Sequence, residues 1–242
     1  MRERNSEQSS GLGRRELMRT GMVGSLLGVM AAAGAAPATA QTTASTTSKG
    51  APRSAQIDPA TVQVLFVDLQ TSLVAQSKTT PPATIGTAAG VLAKVAQILK
   101  MPTLFSVVLE NGKPPKLIPP LVPYSSRANT ILRKPAGALM DPATAQALAK
   151  SGRRVLVIAG YAAEVAVLHA ALDAIAAGYT VYFIVDGIGS PSPRTEAATF
   201  RELELAGAIP TSVLSLTTRL APDFSSPPGS ETFAALDPIL KQ

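Results

Sequence analysis

Val62-Gln63-Val64-Leu65-Phe66-Val67-Asp68 is an apolar run closed by a carboxylate, and Asp68 is the residue whose type and placement first suggest chemistry. An aspartate at the end of a buried strand is partly desolvated, which raises its pKa and suits it to proton transfer unless a nearby cation cancels the shift. The same residue can instead cap the following loop through backbone N–H groups. Lys134 lies in the short extended segment Ile131-Leu132-Arg133-Lys134-Pro135. It could orient a carboxylate or stabilise developing negative charge, or stand solvated beside Arg133 as surface lysines commonly do. The third position is a strand-to-helix turn, Gly160-Tyr161-Ala162-Ala163-Glu164-Val165-Ala166. Its alanines carry no nucleophile, so any contribution comes from the backbone. The first N–H groups of a helix lack intrahelical partners and carry the positive end of the dipole, which makes Ala162, Ala163 and Ala166 a candidate cradle for an oxyanion or a carboxylate. Glu164, in the first turn, complements that dipole. Gln70 and Glu110, which also follow apolar runs, complete the expected substrate-binding set.

Composition removes most alternatives. The chain has no cysteine and one histidine, which excludes disulfides, thiolate metal sites, thiol catalysis and a histidine metal cage. No cofactor or metal is expected. His169 and Asp173 stand four residues apart on one helix face, the spacing of a structural hydrogen bond. Gly-x-Ser-x-Gly does not occur, so a serine triad is not expected. Asp186-Gly187-Ile188-Gly189-Ser190 holds a Gly-x-Gly, but the third glycine of a dinucleotide fingerprint is missing. The basic residues are scattered through separate loops without interleaved aromatic residues, and nucleic acid is not an expected partner.

These positions need a framework. Strands are predicted over 62–68, 103–109, 154–159, 180–185 and 212–216, and helices over 85–100, 142–150, 164–177 and 194–206, the last two closed by Gly178 and Gly207. Near-continuous Val/Ile/Leu strands alternating with helices predict a parallel sheet covered on both faces. Such sheets bind ligands at the carboxyl ends of their strands, where Asp68, Gln70, Glu110, Gly160 to Ala163 and Asp186 all fall.

Paired arginines, Arg14-Arg15, precede a modest apolar run from Met22 to Ala36 and the small-residue site Ala38-Thr39-Ala40. This is the layout of a twin-arginine export signal over 1–40, cleaved before Gln41, and predicts a periplasmic or secreted protein with no membrane contact after cleavage. The run is interrupted by glycines and too short for a span of about 20 residues. Cleavage takes away five arginines and three glutamates, leaving 17 basic against 13 acidic side chains, a mild +4. Residues 41–57 read as a Thr/Ser/Ala-rich linker, 58–220 as one globular domain, and 221–242 as a tail that packs across a surface or a neighbouring subunit.

Taken together, Val64 to Gln70, the loop lysine Lys134, Gly160 to Val167, Leu172-Asp173-Ala174, Gly178-Tyr179 and Asp186 resemble the isochorismatase-like hydrolases, the cysteine hydrolase superfamily. The resemblance spans about Val62 to Leu216. It implies a six-stranded parallel sheet in a three-layer α/β/α sandwich, a mostly parallel doubly wound sheet, and a homo-oligomer acting on a small molecule. In the amidase members an Asp–Lys–Cys set is catalytic. Here the aspartate falls on Asp68 and the lysine on Lys134, with Arg133 the competing candidate, while the cysteine position is Ala166. A methyl group attacks nothing, so two readings stand. One is hydrolysis with Asp68 as acid and no covalent intermediate; the other is a catalytically inactive member that binds a small ligand or a protein.

Overall fold

The computed structural model describes residues 56–241; the expected signal segment and all but the end of the linker lie outside them. Six strands form one parallel sheet in the order β3-β2-β1-β4-β5-β6. They are β1 (Val62–Val67), β2 (Thr103–Val107), β3 (Thr130–Leu132), β4 (Val155–Tyr161), β5 (Thr180–Gly189) and β6 (Ile209–Thr211). The helices are α1 (Thr71–Val74), α2 (Pro82–Ile98), α3 (Pro142–Lys150), α4 (Leu168–Ala176), α5 (Pro193–Leu205), α6 (Val213–Leu220), α7 (Gly229–Ala235) and α8 (Asp237–Leu240).

Every residue of β1 is buried, because both faces of the sheet are covered and neither favours a polar residue. Val62, Val64 and Phe66 pack with α2 and α6 on one face; Leu65 and Val67 pack with α3, α4 and α5 on the other. Phe66 stacks on Phe105 of β2 at 5.1 Å between ring centroids. This is the predicted three-layer sandwich. Gly178 and Gly207 close α4 and α5 with φ of 83° and 100°, a conformation that costs a residue with a Cβ about 1–2 kcal/mol.

Residues 212–216, predicted as a strand, are instead Ser212 and the start of α6; the strand is the short β6 just before them. Val213, Leu216, Thr217 and Leu220 are buried at helical spacing. The Ser212 hydroxyl accepts the N–H of Ser215, and the Asp186 carboxylate accepts that of Val213 at 3.1 Å. Ile57, read as linker, is buried and donates its N–H to Arg219. The tail packs on α2 of its own chain through α7 and α8, with Leu236 fully enclosed. No described helix is long and apolar enough to cross a membrane.

Gly160 of β4 pairs with Val67 of β1, and a Cβ at Gly160 would stand 2.6 Å from the Val67 carbonyl oxygen and 3.1 Å from Val167. The neighbour is backbone and cannot yield without moving β1. Gly160→Ala is therefore expected to destabilise the fold by about 1–3 kcal/mol, read as a lower urea midpoint; an unchanged midpoint would contradict this packing.

Candidate functional site

The chain builds β1, β2 and β3 toward one edge of the sheet and β4, β5 and β6 toward the other, so strand order reverses between β1 and β4. Open parallel sheets form their ligand crevice at this switch point. Asp68 follows β1 directly, in the left-handed region with φ of 52°, a strained conformation that aspartate tolerates better than most residues. Ala162 follows β4 directly. Beyond it, residues Ala163–Val167 make one wide helical turn in which the Val167 N–H reaches back to the Ala162 carbonyl at 3.3 Å. Ala163 and Ala166 are buried in this turn, and α4 continues from it.

The partner of Asp68 is Arg133. Its two terminal nitrogens hold the two carboxylate oxygens at 2.5 and 2.6 Å, in an end-on, bidentate pair. One of these nitrogens also reaches the Ser106 hydroxyl at 3.4 Å, and the other donates to the Ala136 carbonyl at 2.9 Å. Arg133 Nε is buried with no hydrogen-bond partner among the described residues. The backbone N–H of Arg133 continues the β2–β3 ladder by bonding Val107. From there its side chain reaches past the end of β2 to the carboxylate that follows β1. Lys134 is exposed and makes no described ion pair with Asp68. Successive side chains of an extended segment point to opposite sides, so only one of the two neighbours can face the sheet. This corrects the expectation for Lys134: Arg133 takes that place.

Burial pushes the Asp68 carboxyl up; Arg133 pulls it down through hydrogen bonds and charge, the nearby negative charge of Glu110 adds to the rise, and the net lies above the ordinary aspartate range. Guanidinium does not give up its proton in proteins, so Arg133 is a fixed charge rather than an acid. Asp68 is 6 % exposed, Arg133 2 % and Ala166 1 %.

Gln70 and Glu110, expected as substrate contacts, hydrogen-bond each other beside the end of β2. Gln70 is fully buried; its amide oxygen accepts the Val108 N–H at 2.8 Å and its amide nitrogen donates to the Val108 carbonyl at 3.0 Å. The same nitrogen donates to Glu110. Gln70 thereby joins the loop after β1 to the chain leaving β2. Glu164 does more than complement a dipole: it accepts the Ser190 hydroxyl at 2.7 Å and the Thr195 hydroxyl at 2.5 Å, tying the turn to the start of α5. Burial works to raise its pKa, but these bonds and its own N–H outweigh that and hold the carboxyl low. No His169–Asp173 hydrogen bond occurs among the described residues, and Asp173 Oδ2 is buried without a partner. Among the described residues no cluster of histidines and carboxylates could hold a metal.

The isochorismatase domain profile matches residues 62–214, which contain Asp68, Arg133 and the turn at Ala166. The chain belongs to the isochorismatase family. It is 28% identical over 159 residues to the Escherichia coli K12 protein named Probable hydrolase YcaC, covering 63% of this chain and 74% of that one. Its fold is similar to that of Pseudomonas aeruginosa YcaC, solved with hexane-2,5-diol and covalent acrylamide, at a TM-score of 0.70 and 26% identity over 77% of this chain and 92% of the other. The crystal structure of E. coli YcaC, an octameric hydrolase of unknown specificity, gives a TM-score of 0.71 at 24% identity, covering 79% and 95%. MAR1 ribonuclease from Caenorhabditis elegans gives 0.67 at 25% identity, covering 75% and 92%.

Removing Arg133 leaves a buried carboxylate alone. Arg133→Ala is expected to cost about 3–5 kcal/mol at neutral pH, measured by urea unfolding. Without the guanidinium, desolvation acts unopposed and the folded-state pKa of Asp68 climbs further. A carboxyl raised in the fold favours the folded state below its unfolded pKa and loses that contribution as pH rises through the folded one. The deficit should therefore shrink toward acid; a deficit that is the same at pH 4 and pH 8 would show that Asp68 is not its source.

Proposed function

We infer that this member of the isochorismatase-like hydrolase family binds a small molecule without hydrolysing it by the family's covalent route. The observation that carries this reading is the closed pair: both Asp68 oxygens are already held by Arg133, and the turn facing the switch point presents Ala166, in a chain without cysteine. A general acid or base must meet the proton it moves within hydrogen-bond reach, and here one lone pair on each Asp68 oxygen is already taken in an ion pair that is almost fully buried. The Pseudomonas relative carries covalent acrylamide; acrylamide is an electrophile that thiolates add to, and this chain has no cysteine.

A second reading keeps catalysis with Asp68 as proton donor to a vinyl ether. It is favoured by the burial that raises the Asp68 carboxyl, since a raised pKa favours the protonated form that donates in such a step. The octameric E. coli relative supports a homo-oligomer. The paired Arg14-Arg15 ahead of an apolar run support export by the twin-arginine route to the periplasm or beyond, where a low-pKa thiol is readily oxidised and its absence is no handicap.

One assay separates the readings. The full chain, incubated with acrylamide and assayed on amides, carbamoyl compounds and vinyl ethers, is expected to gain no adduct mass and to show no turnover above buffer. Vinyl ether hydrolysis that falls about a hundredfold, the usual scale of a lost general acid, in Asp68→Asn would replace the first reading with the second.

A further inference from the structure

Beside the closed pair lies an open cleft of about 450 Å³ where the chain passes from β2 to β3, a volume in the range of small-ligand pockets. Its apolar lining includes Val107, Leu117 and Val122. Its charge has one sign: Lys116 and Arg127 line it, no acidic residue does, and neither cation forms a described ion pair. The two serine hydroxyls at its wall have already committed their protons. Ser125 donates to the Val122 carbonyl at 3.0 Å and Ser126 to the Asn129 side-chain oxygen at 3.0 Å. The charged donors open to an occupant are the two cations, beside the Thr130 hydroxyl, and the guanidinium fork suits a carboxylate.

We propose that this cleft binds a small organic carboxylate with an apolar body. The proposal rests on the binding reading above and names its ligand class and its place. The cleft is joined to the strand-end site through backbone: the Val107 carbonyl accepts the Arg133 N–H at 2.9 Å, and Leu117 bridges to Gln70. Its occupant thus sits one ladder step from the Asp68–Arg133 pair without having to open it. Because both cations are solvent-exposed, their attraction is screened by salt over a Debye length of about 8–10 Å, whereas the apolar contact is not.

The test is isothermal titration calorimetry of the full chain with benzoate, benzamide and inorganic phosphate. Benzoate should bind, with benzamide and phosphate at least about tenfold weaker, the first lacking the charge and the second the apolar body. The double variant Lys116→Gln/Arg127→Gln should weaken benzoate by about tenfold or more without moving the melting temperature, since both side chains are on the surface. Added sodium chloride should weaken benzoate more than benzamide. No benzoate binding at millimolar concentration, equal binding of benzamide or phosphate, or benzoate binding indifferent to the double variant overturns the proposal. Benzoate binding lost in Asp68→Asn but kept in the double variant places the ligand at the strand ends: the cleft then falls while the binding reading stands. Turnover in the assay above is the separate result that removes that reading.

Discussion

The end-on ion pair between Arg133 and Asp68 is the constraint around which the carboxyl edge of the sheet is arranged. Arg133 leaves the end of β3, touches Ser106 of β2, grips the carboxylate after β1 and fastens the Ala136 carbonyl of its own loop. Three strand ends and one loop become a single unit. A buried ion pair is not by itself a source of net stability, because desolvation of two charges offsets most of their attraction. Its weight lies in asymmetry: either charge alone in that place would be far worse than the pair. The left-handed backbone at Asp68 persists because the pair and the Asp68 N–H bond to Ser106 over-determine it.

Across the switch point, the turn after β4 is held in place by packing and by side-chain anchors. Gly160 lets β4 lie against the Val67 carbonyl, and Glu164 anchors the turn through Ser190 and Thr195. Both features hold backbone in place and neither depends on a nucleophile at Ala166. Family membership therefore rests on a framework, while activity rests on a few atoms mounted on it. With a methyl group at Ala166 and both Asp68 oxygens paired to Arg133, the framework is present without a thiol.

Much of this was legible in the chain. Buried strands betray themselves as unbroken apolar runs, so β1, β2, β4 and the first part of β5 stand where their residues predict, as do the stops at Gly178 and Gly207. The errors have a common cause. The Val213 to Leu220 segment is apolar enough for a strand, and its helical identity depends on the caps from Ser212 and from Asp186, a residue far away in sequence. The bonds from Gln70 to Val108 and Glu110 were equally out of reach, because they join residues about 40 positions apart. Ser106, a lone hydroxyl in the interior of an apolar strand, was the available sign that something polar would reach across β2.

The layers follow from the order of residues alone, because periodic burial of apolar side chains is a local property that this order already contains. The sequence likewise excludes thiol chemistry, since a chain without cysteine has none in any fold. Which cation meets Asp68 emerges only in the folded chain. Arg133 and Lys134 are neighbours of equal charge, and composition and spacing treat them alike. The pleat of the segment after β3 turns one toward the sheet and the other toward water, and that turn is set by the ladder bond from Arg133 to Val107, a contact between residues 26 positions apart that no local pattern encodes.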